Sequence, residues 1–106
     1  MIKEIALTET TFYILLALRH PNHGYGIIQE VEKLTSNRVV LGAGTLYGAL
    51  NSLMKKNWIE LYSEEISSRK KKQYIITDLG RQAFEREVIR LKELINCSKL
   101  MEDLND

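Results

Sequence analysis

Four consecutive cations, Arg69, Lys70, Lys71 and Lys72, and a stripe of small polar residues at helical spacing, Gly48, Asn51, Ser52 and Lys55, are the positions whose types and spacing suit chemistry. That chemistry is recognition of a polyanion. Adjacent cations repel one another unless solvent or an anionic partner faces them. Asn51 offers a donor and an acceptor together, which match the N6/N7 edge of adenine, and Lys55 can reach guanine or a phosphate. Thr45 and Tyr47 stand near the start of the same segment, where hydroxyls and first-turn amides suit phosphate oxygens. Arg69, Lys70, Lys71 and Lys72 would add phosphate or minor-groove contacts, which give affinity more than specificity.

Bond-making chemistry finds no support. The sequence shows no paired carboxylates, no nucleophile beside a base, no phosphate loop and no Cys/His spacing for a metal, so no catalytic residue, metal ligand or cofactor is expected. His20 and His23 sit beside Pro21 and Gly24 with no carboxylate or cysteine clustered nearby, and they read as turn residues rather than ligands or bases. Cys97 is the single cysteine, and on an apolar helical stripe it reads as a small hydrophobe rather than a redox sensor.

These residues must be positioned by one small body. A length of 106 residues fits a single core, and 44% apolar with 27% charged residues is the balance of a folded domain. The longest apolar run, Phe12 to Leu18, falls well short of the roughly 20 residues needed to cross a bilayer, and the N-terminus lacks a signal-peptide pattern, so a cytoplasmic location is expected. The net charge of +1 is uninformative, but its distribution is not. Residues 1–54 are neutral, residues 55–81 carry +3 and residues 82–106 carry −2.

Periodicity predicts a first helix from an N-cap at Thr8 to Leu18, with Leu7, Thr11, Ile14, Leu15 and Leu18 on one face. A Pro/Gly break precedes a second helix with Ile27, Ile28, Val31 and Leu34 on its face, ending near Thr35 to Asn37. After the connection 39–44, Thr45 is expected to cap a third helix running to about Lys56. Leu46, Leu50 and Leu53 would face the core, and Gly48, Asn51, Ser52 and Lys55 would lie opposite, with Tyr47 on the flank. Asn57 suits the left-handed residue after that helix. Residues 58–62 and 73–77 read as two strands of a hairpin with a long basic tip. Thr77 and Asp78 can cap a last helix continuing to about Leu104, roughly 40 Å long. Phe84, Val88, Leu91 and Ile95 form one stripe on it, and Leu94, Cys97, Met101 and Leu104 a second, which suits packing on another subunit. The fold class is mainly α (α+β): a winged helix-turn-helix over residues 1–77, with a two-stranded wing, continuous with a C-terminal dimerisation helix over 78–106.

In this order and spacing the chain resembles the PadR-like transcriptional regulators. His23-Gly24-Tyr25-Gly26-Ile27 resembles the opening of that family's second helix. Gly44-Thr45-Leu46-Tyr47 through Leu50 and Leu53 resembles its recognition helix, and residues 74–80 its second wing strand leading into the C-terminal helix. The single C-terminal helix is similar to the family's smaller branch. Three positions depart from the pattern: Gly48 where members commonly have Pro, Asn57 where they have Gly, and Ser67-Ser68 where a Gly pair often stands at the wing tip.

The resemblance implies a homodimeric repressor of a pseudo-palindromic double-stranded DNA operator, the third helix lying in the major groove. It implies a dimer through the C-terminal helix and the first helix, assigned here to Leu7, Phe12, Phe84, Val88, Leu91, Leu94, Ile95 and Met101. Some members bind phenolic or flat aromatic effectors near that interface, and Phe12, Tyr13, Phe84, Val88 and Leu91 are the candidate pocket. The tryptophan platform of a drug-sensing branch is absent, because Trp58 stands at the start of the wing. The competing reading, motivated by the modest net charge, is a winged-helix module that binds another protein without sequence-specific DNA recognition.

Overall fold

The computed structural model describes residues 6–64 and 72–105. The order is α1 (Glu9–Ala17), β1 (Asn22–His23), α2 (Gly24–Leu34), α3 (Ala43–Lys55), β2 (Ile59–Glu64), β3 (Lys72–Ile76) and α4 (Asp78–Ser98), closed by a 3₁₀ segment, Lys99–Asn105. One core joins them: Ile14, Leu15 and Leu18 at α1, Ile27 and Val31 of α2, Leu46, Leu50 and Leu53 of α3, and Ile59 and Ile76 of the sheet. Leu34, expected on the buried face of α2, is 48% exposed, since α2 ends there and the chain turns outward.

Each helix starts where the side-chain chemistry allows. The Thr8 hydroxyl accepts from the Thr11 N–H and the Thr77 hydroxyl from the Gly80 N–H, both at 3.1 Å, as expected of N-caps. The expectation for Thr45 is corrected. The N-cap of α3 is Gly42, with no side-chain capping bond, and Thr45 lies inside the first turn. Ala43 and Gly44, read as connection, are already helical.

The sheet is also larger than expected. β1, only two residues long, pairs antiparallel with β3, giving the strand order β1-β3-β2. Asn22 lies opposite Tyr74 and His23 opposite Gln73. A strand so short has no alternation to read, and its Pro and Gly neighbours signal a turn. β2 and β3 place Ile59 opposite Ile76, both buried, with a register shift at Tyr62. Trp58 precedes β2 rather than opening it, because Asn57 (φ 61°) takes the left-handed conformation that stops α3.

One ion pair holds α1, and one hydrogen bond to a buried carboxylate holds the residues just before it. Arg38, in the α2–α3 connection, pairs with Glu9 and holds its carboxyl below the ordinary range. On α4, Glu87 is buried, accepting from the Leu7 N–H at 3.1 Å and from Arg90 Nε and Nη2 at 2.6 and 2.9 Å. The Arg90 hydrogen bonds hold this carboxyl below its usual range against the opposing effect of burial. α4 itself is α-helical to Ser98 and tightens into 3₁₀ geometry from Lys99 on, which corrects the expectation of α-helix to Leu104. Among the described residues no helix is long and apolar enough to cross a membrane.

Candidate nucleic-acid interface

α3 divides cleanly. Leu46, Leu50 and Leu53 are at most 3% exposed, whereas Thr45, Tyr47, Gly48, Asn51, Ser52 and Lys55 are all exposed. Helical geometry brings these six together on one outward surface. A Cβ at Gly48 would meet nothing within 4 Å, so the surface there is open. Because Gly42 supplies no side-chain acceptor, the first-turn amides of α3 remain available to an anion.

Tyr47 has two roles in this geometry. Its ring lies against the start of α2, so closely that a Cβ on Gly24 would stand 2.7 Å from the Tyr47 hydroxyl oxygen. The absence of that Cβ lets α2 approach α3. Tyr47 nevertheless stays 51% exposed, so it packs the helix pair and still presents its edge to solvent. Tyr25, in the His23–Ile27 motif that opens α2, is 65% exposed.

The rest of that motif is local architecture. His23 Nδ1 accepts from the Gly26 N–H at 3.1 Å and caps α2, and Gly26 leaves room for the Asn22 side chain. His20 does have a carboxylate beside it, contrary to the sequence reading. Its Nε2 is 3.2 Å from Glu30, which also pairs with Arg19 at 2.7 Å. Glu30 lies on α2 and comes to the turn only through the fold.

Of the basic run, Lys72 opens β3 and is exposed; Arg69, Lys70 and Lys71, like Ser67 and Ser68, lie outside the described residues. One cation that sequence reasoning passed over sits at the base of the wing: Lys56 Nζ lies 4.8 Å over the Trp58 ring.

Three of the five residues assigned to an effector pocket, Phe12, Tyr13 and Phe84, form a small aromatic cluster. Phe12 stacks on Phe84 with centroids 4.5 Å apart, and Tyr13 meets Phe12 edge-on at 5.8 Å. A groove of about 420 Å³ beside it is lined by Leu15, Leu16, Arg19, Ile76, Arg81, Phe84 and Glu85. Of the five assigned residues only Phe84 reaches that groove. Cys97 is exposed on α4 rather than packed in a core.

Three helices, a hairpin behind the third and an outward polar face on that third helix define the winged helix-turn-helix class of DNA-binding regulators. Residues 14–86 match the family model described as the transcriptional regulator PadR-like family. The chain belongs to that family, whose members are transcriptional regulators and not enzymes. It is 36% identical over 86 residues, 76% of this chain and 78% of the other, to an uncharacterized protein X of Lysinibacillus sphaericus. Among solved structures it is similar to a PadR family transcription regulator from hypervirulent Clostridium difficile, with 26% identity, 93% and 100% of the two chains covered and a TM-score of 0.63. A transcriptional regulator from Clostridium thermocellum shares the fold at 22% identity, with 90% of each chain covered and a TM-score of 0.69.

Proposed function

We propose that this DNA-binding regulator is a homodimeric, sequence-specific repressor acting in the cytoplasm, each α3 reading one half of a pseudo-palindromic operator. The observation that carries the reading is the outward face of α3, where six residues able to meet bases or phosphates stand exposed above three buried leucines. Asn51 and Lys55 would read base edges, and Thr45, Tyr47, Gly48 and Ser52 would seat the helix against the backbone. Arg69, Lys70, Lys71 and Lys72 would hold flanking phosphates from the wing. The dimer would be made by Leu7, Phe12, Phe84, Val88, Leu91, Leu94, Ile95 and Met101, of which Leu94, Ile95 and Met101 are 52%, 64% and 65% exposed. Residues 1–77 would then serve as the reading domain and 78–106 as the dimerisation helix. A small aromatic effector at the Phe12–Tyr13–Phe84 cluster, with Val88 and Leu91, would release the operator by shifting one subunit against the other.

The test is binding of the purified protein to the DNA upstream of its own coding region, titrated over salt against a scrambled duplex of equal length. Tight, salt-sensitive binding that prefers the upstream DNA supports the reading. Equal weak binding to both duplexes, with no preferred fragment in a genome-wide pull-down of DNA, overturns it in favour of a protein-binding module.

A further inference from the structure

The start of α3 is loosely made. Its N-cap, Gly42, supplies no side-chain bond, and a Cβ on Gly42 or Gly44 would meet nothing within 4 Å. Neither capping nor close packing at these glycines sets where the helix begins, so its direction is left to the connection 35–42 that delivers it.

That connection is strained. Ser36 and Asn37 take the left-handed conformation in succession, at φ 50° and 65°, although neither is glycine. Such a backbone persists only where its surroundings hold it. From within, the Thr35 hydroxyl donates to the Val31 carbonyl at 2.8 Å and accepts from the Val39 N–H at 3.1 Å, and the Asn37 N–H donates to the Glu32 carbonyl at 2.8 Å. From outside, the hold is the next residue, Arg38. Its guanidinium pairs with Glu9, the first residue of α1, and the Tyr13 hydroxyl one turn further along α1 stands beside it. Val39 and Leu41 then carry the chain against the core and into Gly42. Both contacts of Arg38 lead on to α4. Tyr13 meets Phe12, which stacks on Phe84, and Glu9 lies two residues after Leu7, whose N–H donates to the buried Glu87 carboxylate.

We propose that Arg38 is a positioning residue for DNA recognition: held by Glu9 and Tyr13, it sets the direction in which α3 leaves the strained turn and passes displacements of α4 to the reading face. The proposal rests on the reading in which α3 meets DNA. Arg38 acts through the turn and touches no phosphate itself. The rival account, a surface cation that only adds to the positive field, makes the opposite forecast for Glu9. Where charge alone counts, removing an anion strengthens binding to a polyanion. Where position counts, removing the partner of Arg38 weakens it.

Two measurements on the full chain test this. In titrations of the duplex the wild type prefers, Arg38→Ala and Glu9→Gln should each raise Kd about threefold to fivefold, the scale of an exposed ion pair, with the salt slope unchanged. The charge swap, Glu9→Arg with Arg38→Glu, should restore most of the affinity. A salt slope reduced by about 0.9 log units in Arg38→Ala would make Arg38 a direct phosphate contact, and tighter binding by Glu9→Gln would make the pair a matter of charge alone; either result overturns the proposal. Amide hydrogen exchange followed by NMR reads the turn without DNA. Asn37 and Val39 should exchange a few-fold faster in Arg38→Ala, Glu9→Gln and Glu87→Gln, while Ile76 and Thr77, whose N–H groups donate to the Leu18 and Trp58 carbonyls, keep their rates. Equal acceleration at all four amides is a general loosening and overturns the proposal. Unmoved Asn37 and Val39 in Glu87→Gln alone overturn the link to α4 and leave the hold of Arg38 on the turn. A wild-type chain that prefers no duplex removes the DNA reading, and the exchange rates then decide that hold by themselves.

Discussion

Gly80 and Gly48 are both helical glycines, and the structure gives opposite signs to the same substitution. A Cβ on Gly80 would stand 2.1 Å from the Trp58 carbonyl oxygen and 2.9 Å from its carbon. Both are backbone atoms, and that oxygen already accepts the Thr77 N–H at 2.9 Å. To admit a methyl, the start of α4 must retreat from the end of α3 by about an ångström, straining the core by about 1–3 kcal/mol and loosening one hydrogen bond for about 1 more. The helix-propensity gain of alanine returns about 1 kcal/mol at most. Gly80→Ala should therefore destabilise by about 1–3 kcal/mol, a fall in Tm of about 4–24 °C for a chain of this size. Gly48→Ala meets nothing within 4 Å and keeps the propensity gain, so its Tm should rise by about 4–8 °C. Thermal unfolding followed by circular dichroism, at one fixed protein concentration because assembly shifts Tm, reads both. A Gly80→Ala variant as stable as the parent would refute the packing of α4 on the Trp58 carbonyl. A destabilised Gly48→Ala would refute the openness of the α3 face.

Thr77→Ala removes both the cap on Gly80 and the hydroxyl's 2.6 Å bond to the Asn57 carbonyl, and denaturant unfolding should show a loss of about 1–2 kcal/mol. Glu87 has its folded pKa held below the ordinary 4.5 by Arg90, so its contribution is present above that value and lost as pH falls through the folded pKa. Glu87→Gln should flatten this acid limb of the stability profile, and an unchanged limb would place the sensitivity elsewhere. Replacing Arg69, Lys70, Lys71 and Lys72 by alanine should reduce the salt slope of DNA binding by about 0.9 log units for each phosphate no longer neutralised, measured by fluorescence anisotropy over a salt series. Asn51→Ala should relax base preference at one operator position at a cost of about 1–3 kcal/mol, seen as a narrowed gap between cognate and altered duplexes.

The helices were legible because each buries one side. Leu46, Leu50 and Leu53 recur at helical spacing, and the structure buries all three. Asn57 was legible for a local reason, since few residues accept its left-handed backbone cheaply. Thr45 misled because a capping residue is defined by where the backbone turns helical, and the permissive Gly42-Ala43-Gly44 stretch let α3 begin earlier. β1 and the His20–Glu30 contact were not legible, because their partners come from elements that meet only after folding. The Gly80 contact is of the same kind: a family motif marks the residue, but its reason, a backbone carbonyl across the core, exists only in three dimensions.

The two residues of β1 change what the wing is mechanically. β3 is gripped on one side by Asn22 and His23, and the Ile76 N–H donates to the Leu18 carbonyl at 2.9 Å, so the inner strand is fastened to the corner that joins α1 to α2. A hairpin tied in this way is a lever with its fulcrum at that corner rather than a free flap. A tilt of α1 against α4 would be passed to the wing through these contacts as rotation. The position of the wing and the packing of the first helix would then form a single mechanical coordinate.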